Sequence, residues 1–391
     1  MVHGSICETW NPWIDDDIQP ADAMLSAIEH RRARVRASAE QLSFGVTSGM
    51  EKKARNRITL EDVARRAKVS TSAVSRAFTQ GASVSKKTRQ RVIKAANALG
   101  FRPNILARSL MTRRSELIAL VSNAIGNPYV MEIIDRFTIE LQNRRLRPLI
   151  FNLGTDYDSS EVISLMSQYQ VDGVVIASST LPYDFAKSVA DFGLPTVIAF
   201  GGGMANNAVS AAFVDNVEGG SIAALALIQG GYRSIGFLGG PSHATTTQDR
   251  LAGFQSRLAI HDVSPVSVAF AEEYSHPAGM ETALSMFRAH SELDALFCAD
   301  DLLAMGTFDA IRYKLKRAIP DVGVIGFNDI QMAGWPNYNL TTIRSHVDQV
   351  IAHAIDMLQV QIDHGPRPIE KRIVSCELVA RGTLKSMVPV A

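Results

Sequence analysis

A small all-α module followed by a larger, two-lobed α/β domain is the architecture this sequence predicts, and three observations predict it. The chain has 391 residues, too many for one simple core and enough for one small domain plus a two-part larger one. Its charge is segregated: residues 50–116 hold 17 Lys and Arg against 4 Asp and Glu, whereas residues 117–391 hold 19 against 28. Its hydrophobic pattern changes at the same place. Short helical segments precede Leu117, and apolar runs alternating with helical patterns follow it.

The first 49 residues stand apart. They carry Trp10, Trp13, an acidic run at Asp15, Asp16 and Asp17, and four arginines between Arg31 and Arg36, without a motif. Two readings stay open: a disordered or partly helical extension over 1–49, or a natural start at Met50. Three helices are predicted next, within 50–103. Thr59 and Asp62 have the capping-box spacing, so a helix begins at about Leu60, with Leu60, Val63, Ala64 and Ala67 as its apolar face. Ser70 caps a second over 71–78. Ser85 caps a third over 86–99, which Gly100 ends. A brief segment follows Pro103 within 104–116.

From residue 117 onward, apolar runs at 117–121, 149–151, 173–177, 196–200, 235–238, 295–298 and 322–327 read as buried strands. Helical patterns such as 129–143, 159–169, 218–229 and 302–313 separate them. Parallel sheets covered on both faces follow, and the number of units calls for two lobes over 117–391. Cys7, Cys298 and Cys376 have no metal-ligand spacing and fit reduced thiols. No run approaches the roughly 20 apolar residues of a membrane span. The N-terminus is acidic and lacks a basic-then-apolar leader pattern, which predicts a cytosolic protein. The basic block predicts a polyanionic partner; its bland reading is a solvated charged face.

The run Thr59-Leu60-Glu61-Asp62-Val63-Ala64-Arg65-Arg66-Ala67-Lys68-Val69-Ser70-Thr71-Ser72-Ala73-Val74-Ser75-Arg76 is the most specific signal in the chain. With Val84-Ser85-Lys86-Lys87-Thr88-Arg89, Gly100-Phe101-Arg102-Pro103-Asn104 and Ala107-Arg108-Ser109-Leu110 behind it, it resembles the opening of lactose-repressor (LacI/GalR) family regulators. The resemblance covers about residues 58–385. It implies a helix-turn-helix domain at 50–103, a hinge helix and linker at 104–116, and a periplasmic-binding-protein-like ligand-binding and dimerisation domain at 117–391.

A recognition helix enters the major groove by its N-terminal end, so Thr71, Ser72 and Arg76 are expected at base edges. Arg76 can grip guanine with two bonds; otherwise it is a solvated charge. Thr59, Ser70, Ser75, Ser85 and Lys86 are expected at phosphates, which position without reading sequence. The resemblance places Asn104, Ala107 and Leu110 on the hinge helix, which is too short to stand alone in water. It orders when two copies pair in the minor groove, with Leu110 as the wedge.

In the larger domain, Asn127-Pro128-Tyr129, Asp215-Asn216, Arg250-Leu251-Ala252-Gly253-Phe254, Asp300-Asp301 and Gly326-Phe327-Asn328-Asp329 occur in the family's order. The resemblance assigns ligand contacts to Arg250 and Asp301, a ring contact to Tyr129, and a further polar contact to Asp329. Arg and Asp suit a hydroxylated ligand, one donating in a fork and the other accepting from neighbouring hydroxyls. The alternatives are structural: an ion pair for Arg250, a helix N-cap for Asp301, a loop brace for Asp329. Val347 stands where some relatives have an aromatic. Gly201-Gly202-Gly203 and Gly239-Gly240-Pro241 lack the spacing of a phosphate loop, and His243 with Asp249 has no nucleophile beside it.

These readings converge on a regulator, read as a repressor. Its partners are palindromic or pseudo-palindromic operator DNA, a small effector such as a sugar or sugar derivative, and a second copy of the chain. It has no membrane partner, no cofactor, no metal and no catalytic residues. The rival is a sugar-binding protein or enzyme with an incidental basic arm, which leaves the run from Thr59 to Leu110 unexplained.

Overall fold

The structure is a computed structural model that describes residues 58–78, 82–102, 109, 114–154, 157–201 and 208–386. The chain divides into two units, Met1–Pro103 and Asn104–Ala391.

Three helices make up the described part of the first unit. Helix α1 (Leu60–Ala67) opens on a capping box, in which the Thr59 hydroxyl accepts from Asp62 N and the Asp62 carboxylate accepts from Thr59 N. It stops at Lys68, which turns left-handed at φ 49°. Helix α2 (Thr71–Phe78) follows a three-residue connection, Lys68 to Ser70. Helix α3 (Lys86–Leu99) starts where the Ser85 hydroxyl accepts from Thr88 N, and ends at Gly100. Gly100 sits at φ 69°, a conformation that favours glycine. Val63, Ala64, Ala67, Val74, Ala77, Val92, Ala95, Ala96 and Phe101 form the core, closed by the Phe78 and Phe101 rings at 5.8 Å. Leu60, which helical spacing puts on the apolar face, is 39% exposed.

The second unit begins with strands β1 (Leu117–Ser122), β2 (Arg147–Asn152), β3 (Gly173–Ala177), β4 (Thr196–Ala199) and β5 (Ser210–Val214). Helices α4 (Pro128–Asn143), α5 (Ser159–Gln168) and α6 (Tyr183–Asp191) cover them. The chain then crosses to a second lobe. Helix α7 (Asn216–Gln229), β6 (Ile235–Gly239), α8 (Thr245–Ile260), β7 (Ser267–Phe270), α9 (His276–Ala289) and β8 (Ala295–Cys298) come first. Helix α10 (Asp301–Asp309), β9 (Gly323–Asn328) and β10 (Thr341–Ser345) complete it. Helix α11 (Val347–His364) and β11 (Lys371–Val374) return to the first lobe, and β12 (Cys376–Val379) goes back to the second.

Two six-stranded sheets result, ordered β11-β5-β4-β3-β1-β2 and β12-β10-β9-β8-β6-β7. Every pairing is parallel except β10 with β12. Strands β3 and β8 are buried along their whole length, as expected of parallel strands with helices on both faces. The chain passes between lobes three times, at Asp215, His346 and Ser375. No helix among the described residues is long and apolar enough to cross a membrane.

Helices α7 and α8 approach each other at two glycines. A β-carbon on Gly220 would overlap the carbonyl oxygen of Arg250, and one on Gly253 would overlap that of Val217. This is the physical reason for the glycine in the Arg250–Phe254 motif.

Candidate functional site

Helix α2 presents two different faces. Val74 and Ala77 are buried in the core, while Thr71, Ser72 and Arg76 are exposed. Arg76 makes no hydrogen bond or ion pair among the described residues, so its guanidinium is available to an external acceptor. The Ser70 hydroxyl accepts from Ala73 N at 3.2 Å and lies 2.9 Å from the Ser72 hydroxyl. Ser85 and Thr59 both cap helices, Lys86 is exposed beside Ser85, and Ser75 is half-buried. Hydrogen bonds from Thr59 hold the Asp62 carboxyl below its usual range. Two other arginines of the basic block are used internally. Arg89 donates to the carbonyls of Ala77 and Ala82, and Arg91 to those of Ala67 and Lys68. Both thus satisfy carbonyls at the C-terminal ends of α1 and α2, where a cation is favoured. Asn104, Ala107 and Leu110 lie outside the described residues.

In the second unit, residues that follow β1 and β3 in one lobe touch residues that follow β6 and β7 in the other. Asn127 Nδ2 donates to the Tyr274 carbonyl at 3.2 Å, and Thr245 N donates to the Ser179 carbonyl at 3.2 Å. The cleft between the lobes therefore lies at the carboxyl ends of the strands, where open α/β sheets bind ligands. Phe200 at φ 65°, Asn328 at φ 109° and Asp329 at φ 57° sit at these strand ends. Left-handed backbone of this kind is stored where surroundings over-determine it, often at binding sites.

Arg250 is the centre of the second lobe's wall. It is buried, with its guanidinium 3.5 Å from the centre of the Phe327 ring. Nε donates to Asn216 Oδ1 at 2.8 Å, Nη1 to the Ala299 carbonyl, and Nη2 to Asn328 Oδ1 at only 3.4 Å. Asn328 Nδ2 in turn donates to Asp300 at 2.9 Å. Asp300 also caps α10, accepting from Leu302 N at 2.8 Å. Burial lowers the Arg250 pKa and raises that of Asp300 to about 6. Tyr129 joins the cleft from the first lobe, its hydroxyl 2.9 Å from that of Ser345 and its ring edge-on to Phe200. Burial pushes its phenol to about 12. The Tyr274 hydroxyl lies 2.7 Å from that of Thr247 and 3.2 Å from that of Thr246.

The structure thus brings Arg250 together with Asp300 and Asn328 rather than with Asp301 and Asp329. Asp301 is fully buried, with one oxygen accepting from the Thr342 hydroxyl and the other from Ile330 N. Burial raises its pKa well above the usual range. The Asp329 carboxylate is held by Arg344 and Arg381, both at 2.7 Å. The N-cap that could have fallen to Asp301 belongs to Asp300. Val347 is buried at the start of α11.

Asp300 has a consequence for stability. The folded protein keeps this proton to about pH 6, whereas an unperturbed carboxyl releases it near 3.8. Folding therefore binds a proton between those values, and stability is lost as pH rises through that window, by roughly 3 kcal/mol once the group is ionised. Asp300→Asn keeps an oxygen for the Leu302 cap and cannot ionise. Urea unfolding from about pH 4 to 6 is expected to give this variant a stability slope more positive than the wild type's by about 1.4 kcal/mol per pH unit. An unchanged slope would place the titration elsewhere.

The family described as "Bacterial regulatory proteins, lacI family" matches residues 59–104, and "Periplasmic binding protein-like domain" matches residues 224–384. The chain is 28% identical over 326 residues to the HTH-type transcriptional repressor PurR of Edwardsiella ictaluri, covering 83% of this chain and 96% of that protein. It is also 28% identical over 303 residues to the ribose operon repressor of Lactococcus lactis, covering 76% and 88%. Its fold resembles the lac repressor dimer bound to operator and an anti-inducer, with a TM-score of 0.75 at 22% identity, covering 84% of this chain and 99% of that one. A second likeness is the regulator CelR in complex with cellobiose, with a TM-score of 0.63 at 24% identity, covering 84% and 100%. One match falls on the helix-turn-helix and the other on the lobe carrying Arg250, Asp300 and Asn328, so the chain joins a DNA-binding domain of the lacI family to a periplasmic-binding-protein-like domain.

Proposed function

We propose that the protein is a cytosolic repressor that binds a palindromic operator as a homodimer and changes its operator affinity when a small hydroxylated effector enters the cleft. The observation that carries this reading is the exposed face of α2. Arg76 stands there without a partner among the described residues, while Arg89 and Arg91 nearby are committed to helix ends. Thr71, Ser72 and Arg76 take the base-reading role, and Thr59, Ser70, Ser75, Ser85 and Lys86 the phosphate contacts. Asn104, Ala107 and Leu110 form the hinge that links reader to sensor, within a segment spanning 104–116. Residues 50–103 are the reader and 117–391 the sensor and dimerisation domain, with 1–49 an extension outside both.

In the cleft, we assign the effector contacts to Tyr129, Arg250, Asp300 and Asn328, whereas Asp301 and Asp329, to which the family resemblance gives ligand contacts, are read as braces for the loops that carry them. The weak bond from Arg250 Nη2 leaves a donor that a ligand hydroxyl or carbonyl can improve on. The names of relatives favour a sugar: one represses a ribose operon and one was solved with cellobiose. None of these groups is assigned a catalytic role.

Fluorescence anisotropy on DNA taken from beside the protein's own gene, with and without D-ribose or cellobiose, tests the reading. Arg76→Ala is expected to cost about 1–3 kcal/mol and relax base preference at one operator position. Lys86→Ala is expected to weaken all sequences about equally and reduce the salt slope by about one. Identical behaviour of the two variants would remove the division between reading and positioning, and no binding to any such DNA would remove the function.

A further inference from the structure

Just before β1 the chain runs through a socket built from three neighbouring elements. Asp172, the residue ahead of β3, uses both carboxylate oxygens there. One accepts from Ser115 N at 2.9 Å and from the Ser115 hydroxyl at 3.1 Å, and the other from Glu116 N at 2.8 Å. Arg147, the first residue of β2, donates its N–H to the Glu116 carbonyl at 2.7 Å and pairs with the Glu116 carboxylate at 3.0 Å. Arg114 donates to the Ile362 carbonyl at 2.9 Å and to the Asp363 carboxylate at 2.6 Å, both in the last turn of α11. A β-carbon on Gly173 would come within 2.9 Å of Leu358 and 3.0 Å of Ile362, so the end of α11 lies directly on the start of β3. Within this socket Glu116 holds a left-handed φ of 60°, a conformation that its surroundings must maintain.

We propose that Asp172 is a positioning residue for operator binding: by clamping Ser115 and Glu116 it fixes where the chain to the helix-turn-helix leaves the second unit, and so sets the half-site spacing that the dimer accepts. This rests on the proposed reading of a homodimer on a palindrome, and it adds a residue that tunes binding from outside the DNA interface. Once one half-site is held, the second binds within the same complex, and its effective concentration depends on tether length. Releasing Ser115 and Glu116 adds up to about 7 Å to each of two tethers. Two extra base pairs move the half-sites apart by roughly 7 Å and rotate one by about 70°. The slack gained exceeds the displacement, so an unclamped dimer loses its ability to refuse the wrong spacing. A carboxylate suits this task, because its two oxygens take charge-assisted bonds from consecutive main-chain N–H groups.

The second lobe supplies a matched control. Asp294, the residue ahead of β8, accepts from Arg233 N at 2.9 Å and from Ser234 N at 3.0 Å, just before β6. That clamp has the same chemistry, but the stretch it holds joins α7 to β6 and does not lead to the helix-turn-helix. Two measurements on the full chain decide the proposal. In the first, without DNA, brief trypsin digestion is followed by mass spectrometry. Wild type and Asp294→Ala are expected to keep the Arg114–Ser115 bond, and Asp172→Ala to lose it at least about tenfold faster. In the second, an operator selected from random palindromes is compared by anisotropy with a version carrying two extra central base pairs. On the longer operator, wild type and Asp294→Ala are expected to lose at least about tenfold in affinity, and Asp172→Ala less than about threefold. Asp172→Asn keeps an acceptor for Ser115 but turns an NH2 group to Glu116 N. It should fall between the two, and it stands as the test if Asp172→Ala lowers the melting temperature. A trypsin rate or a spacing penalty equal to the wild type's in both Asp172 variants overturns the proposal. So does an equal shift in Asp294→Ala, which would make the clamp a matter of stability alone. A wild type that selects no DNA removes the proposed function and this proposal with it, an outcome distinct from binding with an unchanged spacing penalty.

Discussion

Gly253→Ala is expected to destabilise the second lobe by about 3 kcal/mol, the upper end of the usual overpacking cost, and to abolish the effector response. The added β-carbon would overlap the Val217 carbonyl of α7, a main-chain atom that no rotamer change can move aside. The two helices must then separate or tilt. Their crossing also sets the 2.8 Å bond between Asn216 on α7 and Arg250 on α8, so the guanidinium moves with the helix. Gly220→Ala meets the Arg250 carbonyl from the opposite side and is expected to behave alike. Urea denaturation measures the stability, and operator anisotropy with the working effector measures the response. A loss under about 1 kcal/mol would mean that the helices have room to spare.

Arg250→Ala is the second large effect. It leaves Asn216 Oδ1 and the Ala299 carbonyl without their donor in a buried setting, and removes the cation nearest Asp300. Leaving buried groups unpaired and a buried charge uncompensated is expected to cost about 3–5 kcal/mol, with complete loss of the effector response. Arg250→Lys should recover little, because one ammonium cannot serve three acceptors in three directions while stacking on Phe327. Asp329→Asn is the contrast: it weakens the pairing with Arg344 and Arg381 and is expected to keep the response. Calorimetric titration of effector into each variant checks this. An Arg250→Ala protein that still binds and responds would move the pocket elsewhere in the domain.

The features legible in the sequence are those whose cause is local. Thr59 with Asp62, Ser85 with Thr88, and Gly100 at its left-handed turn each specify a helix end within four residues. Strands such as Gly173–Ala177 and Ala295–Cys298 are apolar throughout, so burial on both faces is written into their composition. Strand Thr341–Ser345 was not visible in this way, because it is polar in composition yet almost wholly buried. Its burial depends on distant partners: Thr342 bonds Asp301, and Thr341 N bonds the Thr383 hydroxyl.

The same limit separates Asp300 from Asp301. Two adjacent carboxylates look alike in sequence, and only the start of α10 turns one toward Asn328 and Arg250 and the other toward Thr342. Among the arginines of the basic block, Arg76 differs from Arg89 and Arg91 only by where the helices place them. Charge counting finds the block but not the division of labour within it.

The return of α11 and β11 to the first lobe bears on how the protein is made. The first sheet has β5 flanked by β4 and β11, and β11 lies beyond every strand of the second sheet except β12. A ribosome that has released Val214 must still deliver every strand of the second lobe but β12 before Lys371–Val374 can pair with Ser210–Val214. At about 5–20 residues per second, that delay is roughly 10–30 s. Throughout it, β5 is an unpaired edge, and the surface that α11 covers on β3, β4 and β5 is bare. Neither lobe is a segment that can be cut out and expressed alone, and the nascent chain completes the two lobes together rather than one after the other.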